Sequence, residues 1–297
     1  MKIGVMATSW EDPADCVRLA QLAEERDMES IWFGEHSHLP IDTQHAFTET
    51  TPEFYRRIPD PYIVLAGIAA TTTRIRIGTG IALPAQASPL TIAKQTATLD
   101  RLSKGRFEWG VGYGWNQQEM IDQGLDPRYR MATFAESVRA VRSLWQDDVS
   151  SFQGEHVRFG DCYSYPKPLQ RPGPPILLGC RPSPRAFRHL AEFCDGWMPS
   201  IVQCLDDIDR SLSDLRKAFE AAGRDPDSLS LTFIDSVGFW KDVRIDEYKS
   251  RRRVSTATLE RLQEVGAQRV ILGIPLFRAD AMEMFLDSAA ELIEVAR

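Results

Sequence analysis

Arg106-Phe-Glu-Trp-Gly-Val-Gly-Tyr-Gly-Trp115 runs from an apolar strand directly into three alternating glycines. A second strand meets the same kind of junction at Pro175-Ile-Leu-Leu-Gly-Cys180. Glycine at a strand end removes the Cβ, so that a flat ligand or a phosphate can lie against backbone N–H groups. On either side of this stretch, short apolar runs alternate with amphipathic segments along the whole chain. That is the pattern of parallel strands buried on both faces by crossover helices. Eight strands are predicted: Ile3–Ala7, Ser30–Gly34, Arg74–Ile81, Arg106–Gly112, Pro175–Gly179, Gly196–Ser200, Leu229–Val237 and Arg269–Pro275.

The helices carry signals of their own. Asp12-Pro13 supplies a cap and a first-turn proline, after which Cys16, Leu19, Ala20 and Ala23 share one face. Phe187, Leu190, Ala191 and Cys194 repeat that spacing, and the last helix buries Met282, Phe285, Leu286 and Ala289. Eight β/α repeats without a linker or a break in composition predict one closed (β/α)8 TIM barrel over residues 1–297 rather than an open, doubly wound sheet. Two excursions interrupt the repeats. Residues 36–60 contain Phe47, Phe54 and Tyr55 and read as a substrate lid or an irregular surface wrap; residues 146–174 end in prolines and read as a rigid rim.

Composition narrows the function. With 43% hydrophobic and 26% charged residues the chain is an ordinary globular protein, and its net charge of -7 argues against nucleic acid as a partner. The basic run Arg251–Arg253 reads as a solvated face. No apolar run has the length of a membrane span, and Met1–Trp10 lacks the apolar region of a signal peptide. Five cysteines without C-x-x-C spacing fit reduced thiols and a cytoplasmic location. A small organic molecule is the expected partner.

In a TIM barrel the site lies at the C-terminal ends of the strands. His36 and Glu35 end strand two, where an imidazole can donate to a ring nitrogen or shuttle a proton; a purely structural histidine fits the position as well. His36-Ser37-His38 also resembles a metal pair, but the further ligands a catalytic metal needs are not evident, and no metal is expected. Thr79, Gly80 and Ile81 offer a backbone surface to a flat ring, and Gly110 and Gly112 do the same after strand four. The dinucleotide reading of these glycines fails, since the third glycine of G-x-G-x-x-G falls on Trp115. Gly179, Cys180, Arg181 and Ser183 precede an amphipathic helix whose N-terminus favours a phosphate, and Arg278 after strand eight adds a cation. Cys180 reads as a packing residue rather than a nucleophile.

Taken together, Trp32-Phe-Gly-Glu-His36, Ile77-Gly-Thr-Gly80, Pro89-Leu-Thr-Ile-Ala-Lys-Gln95, Gly105-Arg-Phe107, Gly110-Val-Gly-Tyr-Gly-Trp115 and Cys194-Asp-Gly-Trp197 resemble the bacterial luciferase-like flavin and deazaflavin oxidoreductases over nearly the whole chain. The resemblance implies a TIM-like barrel, usually a homodimer, that binds FMN or the deazaflavin coenzyme F420. The chain is most similar to the deazaflavin-using branch, because Gly-Val-Gly-x-Gly-Trp115 followed by Glu119 is typical there. His36 then matches that branch's active-site histidine, and the peptide after Gly80 is expected to be cis. The implied reaction is hydride transfer between F420 and an organic substrate, with Glu35 orienting His36 or tuning its pKa and with Trp10, Trp115 and Glu119 as candidates for the substrate wall. An FMN-dependent monooxygenase served by a separate reductase is the alternative, and a non-catalytic flavin-binding barrel is a third reading. Two positions depart from the pattern. Trp115 stands where sugar-phosphate dehydrogenases of the family carry a glutamate acid, and Cys180 replaces the usual second glycine after strand five.

Overall fold

The computed structural model describes residues 1–7, 12–41, 43, 53–235, 254–274 and 282–296. Its strands in chain order are β1 (Lys2–Ala7), β2 (Ser30–Phe33), β3 (Arg76–Thr79), β4 (Phe107–Val111), β5 (Val149–Gln153), β6 (Arg158–Tyr163), β7 (Ile176–Leu178), β8 (Gly196–Trp197), β9 (Ser230–Asp235) and β10 (Arg269–Gly273). Eight of them close into a barrel in the order β1-β10-β9-β8-β7-β4-β3-β2, every pair parallel. All eight predicted strands are the barrel strands, and the (β/α)8 prediction holds.

Several strands are shorter than predicted, for local reasons. Thr73 and Ile75 donate their backbone N–H groups to the Glu24 carboxylate at 2.9 and 3.1 Å, and Arg74 does likewise, so the chain joins the sheet only at Arg76. β8 keeps two residues of its predicted five. The predicted ends at Val237 and Pro275, the basic run Arg251–Arg253, and Phe47, Trp10 and Arg278 lie outside the described residues.

A correction concerns residues 146–174. They hold an antiparallel hairpin, β5 with β6, outside the barrel. β5 alternates exposed with buried or half-buried positions but turns Val149 out and Ser150 in, and β6 breaks the alternation, so period-two reading of hydrophobicity misses them. The helix Arg130–Gln146 supports the hairpin turn: the Glu136 carboxylate accepts from the backbone N–H groups of Glu155, His156 and Val157 at 2.8–3.0 Å.

The first helix, α1 (Pro13–Glu25), starts as its sequence predicts, with the Asp12 carboxylate accepting from the Ala14 N–H at 2.8 Å and Cys16, Leu19, Ala20 and Ala23 buried. The main core lies between strands and helices, while Met6, Trp32, Leu177, Met198, Ile234 and Ile271 form a second cluster of their own. Among the described residues no helix is long and apolar enough to cross a membrane.

The N-terminal mouth of the ring is closed by charge. The Arg269 guanidinium donates to both oxygens of Glu108 (2.8 and 2.9 Å) and both oxygens of Glu29 (2.6 and 2.8 Å), and Arg76 also pairs with Glu108. Arg269 and Glu108 are buried, at 7% and 5% exposure, at the floor of a cavity of about 320 Å³ on that side of the ring, so each charge depends chiefly on the other. A buried pair adds little over an apolar replacement, but losing one partner strands the other. Glu108→Ala is therefore expected to destabilise the protein by about 3–5 kcal/mol in urea unfolding. A loss below about 1 kcal/mol, the size of a surface pair, would show the floor to be solvated.

Candidate active site

β2 delivers Gly34, Glu35 and His36 to the C-terminal mouth. The partner of His36 is Glu119, not its neighbour Glu35. His36 Nδ1 lies 2.7 Å from Glu119 Oε2, and the other oxygen of that carboxylate accepts from the Ser37 backbone N–H at 2.9 Å. Glu119 is 1% exposed and sits in the short helix Gln117–Asp122, whose N-cap Asn116 accepts from the Glu119 N–H at 3.2 Å. Asn116-x-x-Glu119 has the spacing of a capping box, in which the glutamate would reach back to the cap residue. Here the carboxylate turns instead to the end of β2. Local pattern does not show that choice, because the partner is 83 residues away.

Glu35, predicted to orient the imidazole or tune its pKa, makes its hydrogen bonds elsewhere while still feeling the His36 charge. Its carboxylate accepts from the Leu83 backbone N–H at 2.6 Å, and its own N–H donates to the Ile81 carbonyl at 3.2 Å, tying the end of β2 to the segment after β3. Burial pushes its carboxyl up to about 7, against the Leu83 hydrogen bond and with help from the Asp60 and Glu119 charges. Around His36 stand Tyr55 and Trp115, each edge-on with ring centres 5.5 Å away and 5.8 Å from one another.

The peptide Gly80–Ile81 is cis, as the resemblance implies. Gly80 and Ile81 line the cavity, whereas Thr79 is fully buried and donates its hydroxyl to the Gly110 carbonyl at 2.7 Å. The two alternating glycines of β4 serve packing between strands. A Cβ on Gly110 would stand 2.0 Å from the Thr79 carbonyl oxygen, and one on Gly112 would stand 2.0 Å from Ile81 Cδ1. Neither faces the cavity; Gly114, two residues on, does.

After β7, Gly179, Cys180 and Arg181 also line the cavity. Burial pushes the Cys180 thiol up to about 12, which suits a packing residue. The Ser183 hydroxyl is the N-cap of the helix Pro184–Phe193, accepting from the Ala186 N–H at 3.2 Å. The two imidazoles of His36-Ser37-His38 do not converge: His38 Nε2 lies 3.0 Å from Asp122 Oδ2, away from Glu119. Among the described residues no group of three or more His, Cys, Asp or Glu side chains is placed to hold a metal ion.

These strand ends enclose a cavity of about 330 Å³, in the range of small-molecule sites. Met6, Ile81, Met198 and Ile234 form its apolar bed; Glu35, His36, Arg181, Ser200 and Gln203 bring polar groups. A larger concavity, about 580 Å³, lies outside the barrel between the hairpin and the helix Pro89–Leu102 and brings none of the strand-end groups together. Sequence reading missed Met6, Met198, Ser200, Gln203 and Ile234. Met198 and Ser200 fall in the predicted strand Gly196–Ser200, so the rule that points to His36 points to them too.

The profile of the luciferase-like monooxygenase family matches residues 1–240. An uncharacterized protein of Mycobacterium tuberculosis is 34% identical over 276 residues, 91% of each chain. The F420-dependent glucose-6-phosphate dehydrogenase of Kineococcus radiotolerans is 26% identical over 247 residues, 82% of this chain and 69% of that one. The FMNH2-dependent dimethylsulfone monooxygenase of Pseudomonas putida is 35% identical over 161 residues, 52% of this chain and 43% of that one.

The raised Glu35 carboxyl has a consequence for stability. Above its ordinary value of 4.5 and up to about 7, the folded protein holds a proton that the unfolded chain has released. Stability from this group is fully present below that window and is lost as pH rises through it. Glu35→Gln keeps an acceptor for Leu83 but cannot titrate. Urea unfolding of both proteins from about pH 5 to about pH 8 should show the wild type losing ground to the variant as pH rises. A difference that stays constant with pH would mean that Glu35 titrates normally.

Proposed function

The chain belongs to the luciferase-like monooxygenase family, and on that premise we propose that it is an F420-dependent oxidoreductase moving a hydride between the deazaflavin and a small organic substrate. The family takes in both F420-dependent and FMN-dependent enzymes. The observation that carries the reading is His36: it stands on the wall of an apolar cavity at a barrel strand end, its Nδ1 anchored on a buried carboxylate, so that Nε2 is left to meet a ligand. The cavity lining fits a flat ring with one polar edge. Met6, Ile81, Met198 and Ile234 would bed the ring, Ser200 and Gln203 would meet its polar edge, and Arg181 would face the phosphate. Ser183, already capping a helix, would contribute its backbone rather than its hydroxyl.

When bound, F420 supplies two-electron hydride chemistry and no stable oxygen adduct. The protein supplies position and proton traffic. His36 takes or returns the proton that accompanies the hydride, and Glu119 fixes its ring and balances an imidazolium. Tyr55 and Trp115 keep water from the imidazole and wall the substrate side. Trp115 in place of an acid leaves no carboxylate there, so the substrate is expected to be less polar than a sugar phosphate.

Titration of the purified protein with both cofactors should give F420 at least about tenfold tighter binding than FMN, about 1.4 kcal/mol. His36→Ala should then lower turnover by roughly 10²–10⁴ while cofactor binding changes little. Tighter FMN binding with substrate-coupled oxygen consumption would instead make the chain a monooxygenase fed by a separate reductase.

A further inference from the structure

His36-Ser37-His38 is used only in part by the function above. His36 faces the cavity, while His38 is 39% exposed on its side chain and its carboxylate partner Asp122 is 42% exposed. Ser37 lies between them. Its Oγ is 2.8 Å from His38 Nδ1 and 3.4 Å from Glu119 Oε1, and Gln123 Nε2 donates to it at 2.7 Å. A chain of polar groups within hydrogen-bonding distance therefore leads from the cavity wall to the surface: His36 Nδ1, Glu119, Ser37 Oγ, His38 and Asp122, with the single Ser37 hydroxyl proton able to point to Glu119 or to His38.

We propose that this path is a proton relay, with Ser37 and His38 carrying the reaction's proton between His36 and bulk water on the side of the barrel mouth away from the ligand cavity. The polarity of the links suits that role. His38 Nε2 faces the Asp122 carboxylate and is the donor there, which leaves Nδ1 to accept from the Ser37 hydroxyl. Gln123 occupies one lone pair of that hydroxyl, which at rest can also donate to Glu119 Oε1; once Glu119 is protonated and the hydroxyl has turned to His38, its other lone pair can take the proton from Glu119. The Asp122 carboxyl is held below the usual range by the hydrogen bonds from His38 and Gln118, which keeps the outer end an acceptor. Among the described residues, the charged and titratable groups facing the two imidazoles are Glu119 and Asp122 from their helix, Glu35 from their own loop and Tyr55 from the turn Glu53–Arg57.

The balance rests on the hydride-transfer reading. Oxidation of a CH–OH group to C=O gives up a hydride, carried off by F420, and the hydroxyl proton, taken by His36 Nε2. The Nδ1 proton passes to Glu119 Oε2, and a half-turn of the carboxyl presents it to Ser37 Oγ. Ser37 passes its own proton to His38 Nδ1, and His38 releases one from Nε2 to Asp122 and water. One proton leaves for each hydride transferred, after which the two imidazoles and the Ser37 hydroxyl, left in reversed tautomers, turn back before the next cycle; reduction of a carbonyl runs the same links inward. The substrate never has to share its entrance with water.

Ser37→Ala tests this cleanly, because the Ser37 backbone N–H that holds Glu119 is retained and the side chain is exposed. Nitrogen-15 imidazole NMR of the protein without cofactor should show solvent exchange of the His36 Nδ1 proton slowed about tenfold or more in Ser37→Ala and in His38→Ala, with Ser37→Thr exchanging like wild type. With F420 and substrate, His38→Ala should turn over slowly in dilute buffer and recover in millimolar imidazole, which a merely structural histidine would not do. Wild-type exchange in both alanine variants, or slow turnover that imidazole leaves unchanged, would overturn the relay. The exchange measurement needs no cofactor, so a failure of the F420 reading alone would leave it standing.

Discussion

Strand β1 is paired on both of its edges, through Lys2–Met6 with β10 and through Gly4–Ala7 with β2, and this double pairing turns a twisted parallel sheet into a ring. Once no edge remains, every strand must end at the same rim, and the residues just beyond those ends are brought together whatever their distance in sequence. The His36–Glu119 pair, the tie from Glu35 to Leu83, and the meeting of Ile81 with β4 all follow from that closure. At the opposite rim Arg269, paired with its carboxylates, lines a polar cavity of about 320 Å³, so polar groups at the two ends bracket an apolar middle. The C-terminal rim opens into the cavity with the apolar bed.

Much of this was legible in the sequence, and the division has a physical cause. Fully buried parallel strands write themselves as continuous apolar runs, so Ile3–Ala7 or Arg269–Gly273 is readable without partners. Strand ends were readable less well, because they depend on competitors for the backbone such as the Glu24 carboxylate at Thr73–Ile75. The hairpin at 149–163 escaped because its strands lie half-exposed outside the barrel, where Val149 faces out, Ser150 faces in and β6 breaks the alternation.

The site divides in the same way. His36, Gly80, Ile81, Gly179, Cys180 and Arg181 follow strands and do line the cavity, so the barrel rule was enough to find them, whereas Trp115, also on the wall, came from the family resemblance. The partner of His36 could not be read, since Glu35 is adjacent and Glu119 is far away. Chain neighbours at the end of a strand point to opposite faces, so adjacency argued for the wrong carboxylate. The glycines at 110 and 112 misled for a related reason. A missing Cβ marks a close approach, but sequence does not say whether the approaching group is a ligand or another strand.

Ile81 holds a particular place in that approach. Its Cδ1 occupies the space a Cβ on Gly112 would need, and its Cγ2 lies 2.8 Å from where a Cβ on Gly179 would stand. One side chain thus wedges between the ends of β4 and β7 while also forming part of the cavity wall. Evolution toward a new substrate therefore meets a coupled trio: enlarging position 112 or 179 clashes unless position 81 shrinks, and shrinking 81 alone opens a void. Reshaping this wall calls for libraries in which the three positions vary in concert, and natural homologues with altered specificity should have changed them as a set.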